Sequence, residues 1–594
     1  MSHTFHIPVL GLGYSIDTPL KIARFGISSV VSIVDDELTE RMRKFHTQLN
    51  GEVYVPIEKY TPDSRAKRIT AYLNLLQKLV NKQLASLKDS FENNPDFITY
   101  FKLLPDDHQL KNDFLEMQTI KDEKHRSEAL QILKNKILPG SIDVNIMAKV
   151  DKANYSKSGE YLGDHYTDAL AAIRGFANSE LNSSVVLSAG LNPKLYSYME
   201  QLDCFYPDAS GVCNKHIILK VSDFRSAMIQ AKILAKKGLW VSEFRVESGL
   251  NCGGHAFATD GFLLGPILEE FKSQRNALRE ELSNIYHTAL HNKGLSPSYI
   301  PTQKITAQGG IGTAAEHDFL LNYYQLDAAG WGSPFLLVPE ATNVDDKTMN
   351  ALRSAKQDDF YLSNSSPLGV LFNNFKGSSA ELQRLERIKK GTPGSPCKKK
   401  YLCTNTEFTS HPICTASREY QNLKIKSLQQ MNLSKSNYEL ALQTVTDKTC
   451  LCEGLCASAY IRNGMIKARE NDAVSICPGP NLAYFSGEYT LREMTDHIYG
   501  RQNLLKHVSR PNFFINELNL YLDYLKKEIA IELDGINVKR FNYYRKFKAQ
   551  LLDGISYYKK LLPELSRYMG FSVYEMYGQL KKAEQELLLQ PGLH

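Results

Sequence analysis

The sequence predicts an α/β fold, a TIM-type (β/α)8 barrel carrying a helical insertion and a mostly helical C-terminal extension. Three observations carry this. Eight short apolar runs alternate with helix-like segments over the first ~375 residues. Glycine-rich turns follow the later runs, where a barrel places its ligand loops. At 594 residues the chain also far exceeds one ordinary domain.

Taken in order, the expected strands are Ile7–Leu10, Ser28–Ile33, Ile142–Met147, Ser184–Leu187, Ile217–Val221, Val241–Val246, Ile305–Ala307 and Leu326–Ala329. A doubly wound open sheet is the competing architecture. Residues 1–375 form the barrel domain, interrupted by an insertion over about 55–138. Within it Thr61-Pro62 reads as a helix start, and Ile69, Tyr72, Leu73, Leu76, Val80, Leu84 and Leu87 make one apolar stripe. A second helical stretch spans Asp107–Ile137. Residues 376–490 form a cysteine-rich extension that opens on a basic, loop-like stretch, Lys389 to Lys400. Residues 491–594 are helical, with stripes Phe514, Leu518, Tyr521, Leu522, Leu525, Ile529 and Phe541, Tyr544, Leu551, Ile555, Tyr558, Leu562.

Hydrophobic content of 43% and charged content of 23% are ordinary globular values. A net charge of +6 over so large a surface makes nucleic-acid binding an unlikely function. No apolar run reaches the ~18 residues of a membrane span, and the N-terminus lacks the pattern of a secretory signal. A cytoplasmic location without membrane attachment is the expectation, so the cysteines are expected to be reduced, metal-bound or catalytic.

Two glycine-bearing segments stand out. Glu247-Ser-Gly-Leu-Asn-Cys-Gly-Gly-His255 follows the sixth strand; Ala307-Gln-Gly-Gly-Ile-Gly-Thr313, followed by Gly330-Trp-Gly-Ser-Pro-Phe335, follows the seventh and eighth. Outward backbone amides there form an anion seat, and the loops after those two strands commonly hold phosphate in a barrel. Gly309, Gly310, Gly332 and Ser333 are the candidate phosphate residues. The plainer alternative is that these glycines only turn the chain.

Four blocks carry a family resemblance: Pro8-Val-Leu-Gly-Leu-Gly13 with Thr18–Ala23 and Gly26; Lys220-Val-Ser222; Gly253-Gly-His255; and Gly309–Thr313 with Gly332-Ser333, Phe335 and Pro339-Glu-Ala341. In order and spacing they resemble the nitronate monooxygenase (2-nitropropane dioxygenase-like) FMN barrels, which are related to FMN-dependent enoyl-acyl-carrier-protein reductases. The resemblance implies FMN as cofactor and His255 as acid/base beside the flavin. It further implies cofactor contacts from Gly11, Asn145, Ser188, Lys220, Gly254, Gln308, Gly309, Gly310, Gly332 and Ser333. Here the family's compact Glu-Ala-Gly-Gly-His spacing is stretched by Ser248–Cys252, which leaves the role of Glu247 open. Trp331 reads as core packing.

The expected activity is FMN-dependent oxidation or reduction of a small or acyl-chain carbon acid. NAD(P)H or a protein is the electron donor in the enoyl-thioester reductase version. A flavin-binding scaffold or assembly subunit in a lipid or polyketide pathway is the alternative, and an oligomer is compatible with either. RNA modification rests only on the basic Lys398-Lys-Lys400. Of the late cysteines, Cys414, Cys450, Cys452 and Cys477 form the best ligand set, while Cys397 and Cys403 read as loop residues. An iron–sulfur cluster, a structural zinc or plain reduced thiols are the readings this spacing leaves open.

Overall fold

The computed structural model describes residues 2–89, 94–148, 150–188, 190–208, 211–251, 260–295, 301–531, 538–570 and 572–590. Eight parallel strands close in sequence order into a barrel. They are β1 (Phe5–Ile7), β2 (Ser28–Ser32), β3 (Ile142–Asn145), β4 (Ser183–Leu187), β5 (Lys215–Val221), β6 (Val241–Glu247), β7 (Lys304–Gln308) and β8 (Ala328–Gly330). Closure is made by β1 on β8, with Phe5 opposite Ala329 and His6 opposite Gly330. The open sheet is thereby excluded. All eight expected runs contain or abut a strand, and the one real displacement is the first. There Val9 and Leu10 run past the paired segment into a turn, where the Leu10 amide donates to Ser15 Oγ (3.1 Å).

Alternation along each strand sends one set of side chains into the barrel. That interior is two-sided. Val9, Val30, Val186 and Ile218 form a small apolar cluster of their own. Against them, β6 and β7 supply Glu243, Arg245, Thr306 and Gln308, all buried. Arg245 Nε donates to Glu243 Oε1 (2.8 Å), and Thr306 Oγ1 donates to the same oxygen (2.6 Å). Aliphatic layers usually fill this space; here charge pairing satisfies part of it.

The insertion folds as helices Ser64–Asp89, Pro95–Leu103, Gln109–Thr119 and Glu123–Lys136. Its predicted stripe is the buried face: Ile69, Tyr72, Leu73, Leu76, Val80 and Leu87 are buried, each contributing roughly 1.5–3 kcal/mol of burial free energy. The helix begins at Ser64 because Asp63 adopts a left-handed φ of 53°. The stretch expected over Asp107–Ile137 is two helices, broken between Thr119 and Glu123.

After β8 the chain runs through a hairpin, β9 (Phe360–Ser363) antiparallel to β10 (Phe372–Phe375), and then through helices. One of these, Leu451–Arg462, lies over the C-terminal end of the barrel, where Gly13 N donates to Leu455 O (2.9 Å). The expected stripes of the Phe513–Ile531 and Val538–Met569 helices are buried except for half-buried Phe541, and one continuous apolar core joins them to the barrel. Among the described residues no helix is long and apolar enough to cross a membrane.

Candidate active site at the barrel mouth

A cavity of about 150 Å³ sits at the C-terminal ends of the strands. Gly11, Asn145, Ser188 and Lys220, drawn from four different strand ends, all line it. So do Ser32, Glu247 and Asn251. Two hydroxyls at this wall, Ser32 Oγ and Ser188 Oγ, are buried and have no hydrogen-bond partner among the described residues. Leaving a buried hydroxyl unmet costs about 1–3 kcal/mol, so both favour a polar ligand atom.

Glu247 ends β6 and is the centre of the polar wall. Its Oε1 accepts from Gln308 Nε2 (2.6 Å), Asn251 Nδ2 (2.7 Å) and Lys220 Nζ (3.2 Å). Lys220 and Glu247 are largely buried, with 14% and 10% of their side chains exposed, so the pair acts in a medium of low polarity. Gln308 ends β7 and is turned to this wall. Its amide is spent on Glu247. The open question about Glu247 is answered by this geometry: it orients the lysine.

The loop after β7 keeps its expected backbone. Gly309 and Gly310 have φ of 108° and 81°, values that side-chain-bearing residues rarely adopt. The carbonyls of Gly310, Ile311 and Gly312 accept, in turn, from Arg510 Nη2 (2.6 Å), Asn481 Nδ2 (2.9 Å) and His497 Nε2 (2.9 Å). The pairing of Gln308 with Gly330 turns the Gly309 amide toward the Gly330 carbonyl, while the Gly310 amide makes no hydrogen bond among the described residues. With the carbonyls tied on one side, the Gly310 amide remains as a donor for an anion. The seat is tightly packed: a Cβ on Gly310 would lie 2.5 Å from Leu250 Cδ1. Ser333 is buried, its Oγ 2.7 Å from where a Cβ on Gly479 would stand, and Gly332 precedes it at the start of a short 3-10 turn. Gly254 and His255 lie outside the described residues, as does Cys252.

The chain after β8 roofs the mouth with Leu368 and Phe372 and, from the C-terminal extension, Tyr401, Leu402, Leu451, Cys452, Leu455 and Cys477. An ion-pair anchor holds it down. Lys399 pairs with buried Asp35, whose carboxylate also accepts from Tyr401 Oη (3.1 Å) and from the Cys456 thiol (3.3 Å). Burial alone would raise Asp35, but Lys399 beside it holds its carboxyl below the ordinary value. The basic stretch is loop-like, as expected, with Lys398 and Lys400 exposed, but Lys399 is withdrawn from solvent, 7% exposed and neutralised.

The cysteines are also corrected. Among the described residues no group of three or more Cys, His, Asp or Glu side chains is placed to hold a metal ion. Cys414, Cys452 and Cys477 are buried in one apolar cluster with Phe372, Leu402, Ala416 and Leu451, and Cys450 packs against it. Cys397 stands in an irregular segment, as expected, but its side chain joins that core; its Sγ lies 3.9 Å from that of Cys403. Burial pushes the Cys452 thiol well above its usual pKa, so it stays protonated at the cavity wall. Trp331 is core, as expected, fully buried with Nε1 donating to His317 Nδ1 (3.2 Å).

No family model and no curated protein matches the sequence. Among solved structures the chain is similar to the enoyl reductase domain of MlnA from the macrolactin biosynthesis cluster of Bacillus amyloliquefaciens. That pair shares 13% identity at a TM-score of 0.38, covering 89% of this chain and 97% of that one. FabK from Thermotoga maritima follows, at 10% identity, TM-score 0.35, and 89% and 96% coverage. Nitroalkane oxidase from Streptomyces ansochromogenes has 10% identity, TM-score 0.33, and 84% and 95% coverage. Likeness at this level adds nothing to the barrel already evident in the strand order.

Proposed function

We propose that the mouth binds FMN and that the chain is an FMN-dependent oxidoreductase of nitronate monooxygenase-like type, acting on a small or acyl-chain carbon acid. The observation that carries this reading is the convergence of Gly11, Asn145, Ser188 and Lys220 on one cavity beside two unpartnered hydroxyls. The residues fit the ring end of a flavin: one cation, an amide and hydroxyls on one wall, an apolar floor on the other. The free amide of Gly310 fits an anionic tail. A volume of about 150 Å³ is small beside the 300–1,000 Å³ usual for such sites. The described cavity therefore matches a ring edge rather than a whole mononucleotide.

Bound FMN supplies two-electron chemistry that no side chain here offers. The chain's own contribution is electrostatic and positional. Lys220, oriented by Glu247, offers positive charge where negative charge develops on a reduced ring. Asn145, Ser32 and Ser188 fix orientation through hydrogen bonds. His255, in the segment after β6, would move the proton at the carbon of the substrate, a task suited to an imidazole near neutral pH. The roof side chains Leu368, Phe372, Leu402, Leu451 and Leu455 exclude water and favour a substrate with a hydrocarbon portion.

Titration of the purified chain with FMN, followed by quenching of flavin fluorescence, tests the reading. Saturable binding that weakens in Lys220→Met is expected; absence of binding at 100 µM FMN, a ceiling of roughly 5 kcal/mol in affinity, would sink it. Anaerobic mixing with a nitronate, or with an enoyl thioester and NAD(P)H, then separates the two substrate classes by which one turns over.

A further inference from the structure

The C-terminal helix Phe513–Ile531 places one buried carboxylate between the two ends of the loop that joins β6 to helix Leu264–Asn292. Glu517 Oε1 accepts from Ser248 Oγ (2.8 Å), just after β6. Glu517 Oε2 accepts from the Leu264 amide (2.7 Å), at the first residue of the helix. The Gly249 amide also donates to this carboxylate. Leu263, at the N-cap position of that 29-residue helix, supplies no capping side chain. Glu517 supplies the cap from 253 residues away, at the positive end of the helix dipole. Neighbouring contacts repeat the pattern. Gly265 N donates to Tyr558 Oη (3.1 Å), and a Cβ on Gly249 would strike Tyr521 at 2.6 Å.

We infer that Glu517 is a positioning residue for the mouth: a single carboxylate from the C-terminal region holds both ends of the loop between β6 and the following helix. This rests on the redox reading above only in what the loop carries, the proposed acid/base His255; the bracing itself concerns Ser248, Gly249 and Leu264. Its strength depends on charge. The ionised carboxylate accepts at both oxygens, and such bonds are roughly twice as strong as neutral ones. Once protonated, it must donate through one oxygen. Ser248 can reverse and accept, but an amide N–H cannot, so the Leu264 bond survives only in its weaker neutral form. Burial pushes Glu517 up to about 7, against the opposing pull of its three donors. The titratable groups facing it are Tyr558 from the Val538–Met569 helix and Tyr521 one turn along its own helix. Burial raises Tyr558 well above its usual value, so it stays neutral. The switch between the two forms therefore belongs to Glu517 itself.

Hydrogen exchange of the full-length chain, read by mass spectrometry without added cofactor, tests this. Peptides ending at Asn251 and beginning at Leu263 are compared between pH 6 and pH 8, each corrected for intrinsic exchange. Wild type is expected to lose protection roughly threefold to tenfold at pH 6, the difference between a charge-assisted and a neutral hydrogen bond. Glu517→Gln is expected to show the same protection at both pH values. Ser248→Ala, a milder change, is expected to loosen the first flank and leave the second as in wild type. Equal behaviour of wild type and Glu517→Gln at both pH values overturns the inference. If Glu517→Gln loosens the whole chain, Ser248→Ala decides, and unchanged protection of its first flank is equally fatal. Because no FMN is present, failed flavin binding leaves this result standing.

Discussion

Arg510 is the side chain on which the glycine loop depends most, and its replacement by methionine gives the sharpest test of that dependence. Its Nη1 donates to Glu316 Oε1 (2.6 Å), its Nη2 to Gly310 O (2.6 Å) and its Nε to Asn481 Oδ1 (2.9 Å). Side-chain exposure is 4% for the arginine and 0% for Glu316, so solvent screens neither. In Arg510→Met, Glu316 retains only backbone donors, the amides of Gly312 (2.8 Å) and Phe513 (2.9 Å). A buried charge stripped of its partner costs about 3–5 kcal/mol. Glu316→Gln alone strands the guanidinium at similar cost. In the double variant neither charge remains, and the loss is expected to be about 2 kcal/mol or more below the sum of the singles. Urea unfolding followed by far-ultraviolet circular dichroism measures all four proteins, and FMN quenching measures the loop. Weakened FMN binding in Arg510→Met at urea concentrations far below unfolding is expected, because the Gly310 carbonyl is no longer held. Additive losses in the cycle, or a single variant within 0.5 kcal/mol of wild type, would falsify the clamp.

Three further outcomes follow from the same geometry. Lys220→Met removes a largely buried cation from the mouth and is expected to weaken FMN binding by roughly tenfold to a hundredfold, about 1.5–3 kcal/mol for a charged hydrogen bond; unchanged affinity in the quenching titration refutes its role. Asp143 is pushed up to about 6 by burial, with Glu243 adding to the shift and Arg245 and Lys304 opposing it. Since its folded value lies above the usual 3.8, stability is fully present below about pH 4 and falls as pH rises through 6, by at most about 3 kcal/mol. Asp143→Asn is expected to flatten that slope in thermal melts at pH 4 to 7, and a slope equal to wild type argues against it. Lys399→Met breaks the pair with Asp35 that holds the roof; alkylation of Cys452 and Cys477 under native conditions, read by mass spectrometry, should accelerate well before global unfolding, whereas unchanged labelling means the roof is held elsewhere.

The features legible in the sequence are those with a local period. Alternating apolar runs disclosed eight strands, and glycine after β7 disclosed a left-handed loop whose φ values only glycine takes readily. Asn145, Ser188 and Lys220 were legible because a polar residue at the end of a barrel strand has only the mouth to face. What escaped was pairing between distant segments. Lys399 reads as one of three exposed lysines until Asp35, 364 residues earlier, takes it out of solvent. The late cysteines suggested a metal because their clustering in sequence is visible, while the Phe372, Leu402 and Leu451 side chains that fill the space between them are not. Glu517 is the instructive case. It lies three residues after Phe514 and four before Tyr521, on the same face of a helix whose stripe was recognised as buried. A carboxylate on an apolar face must find donors when that face is covered, since leaving it unpaired costs several kcal/mol. The sequence therefore announced a buried acid in search of partners; that the partners were the two ends of the mouth loop required the fold.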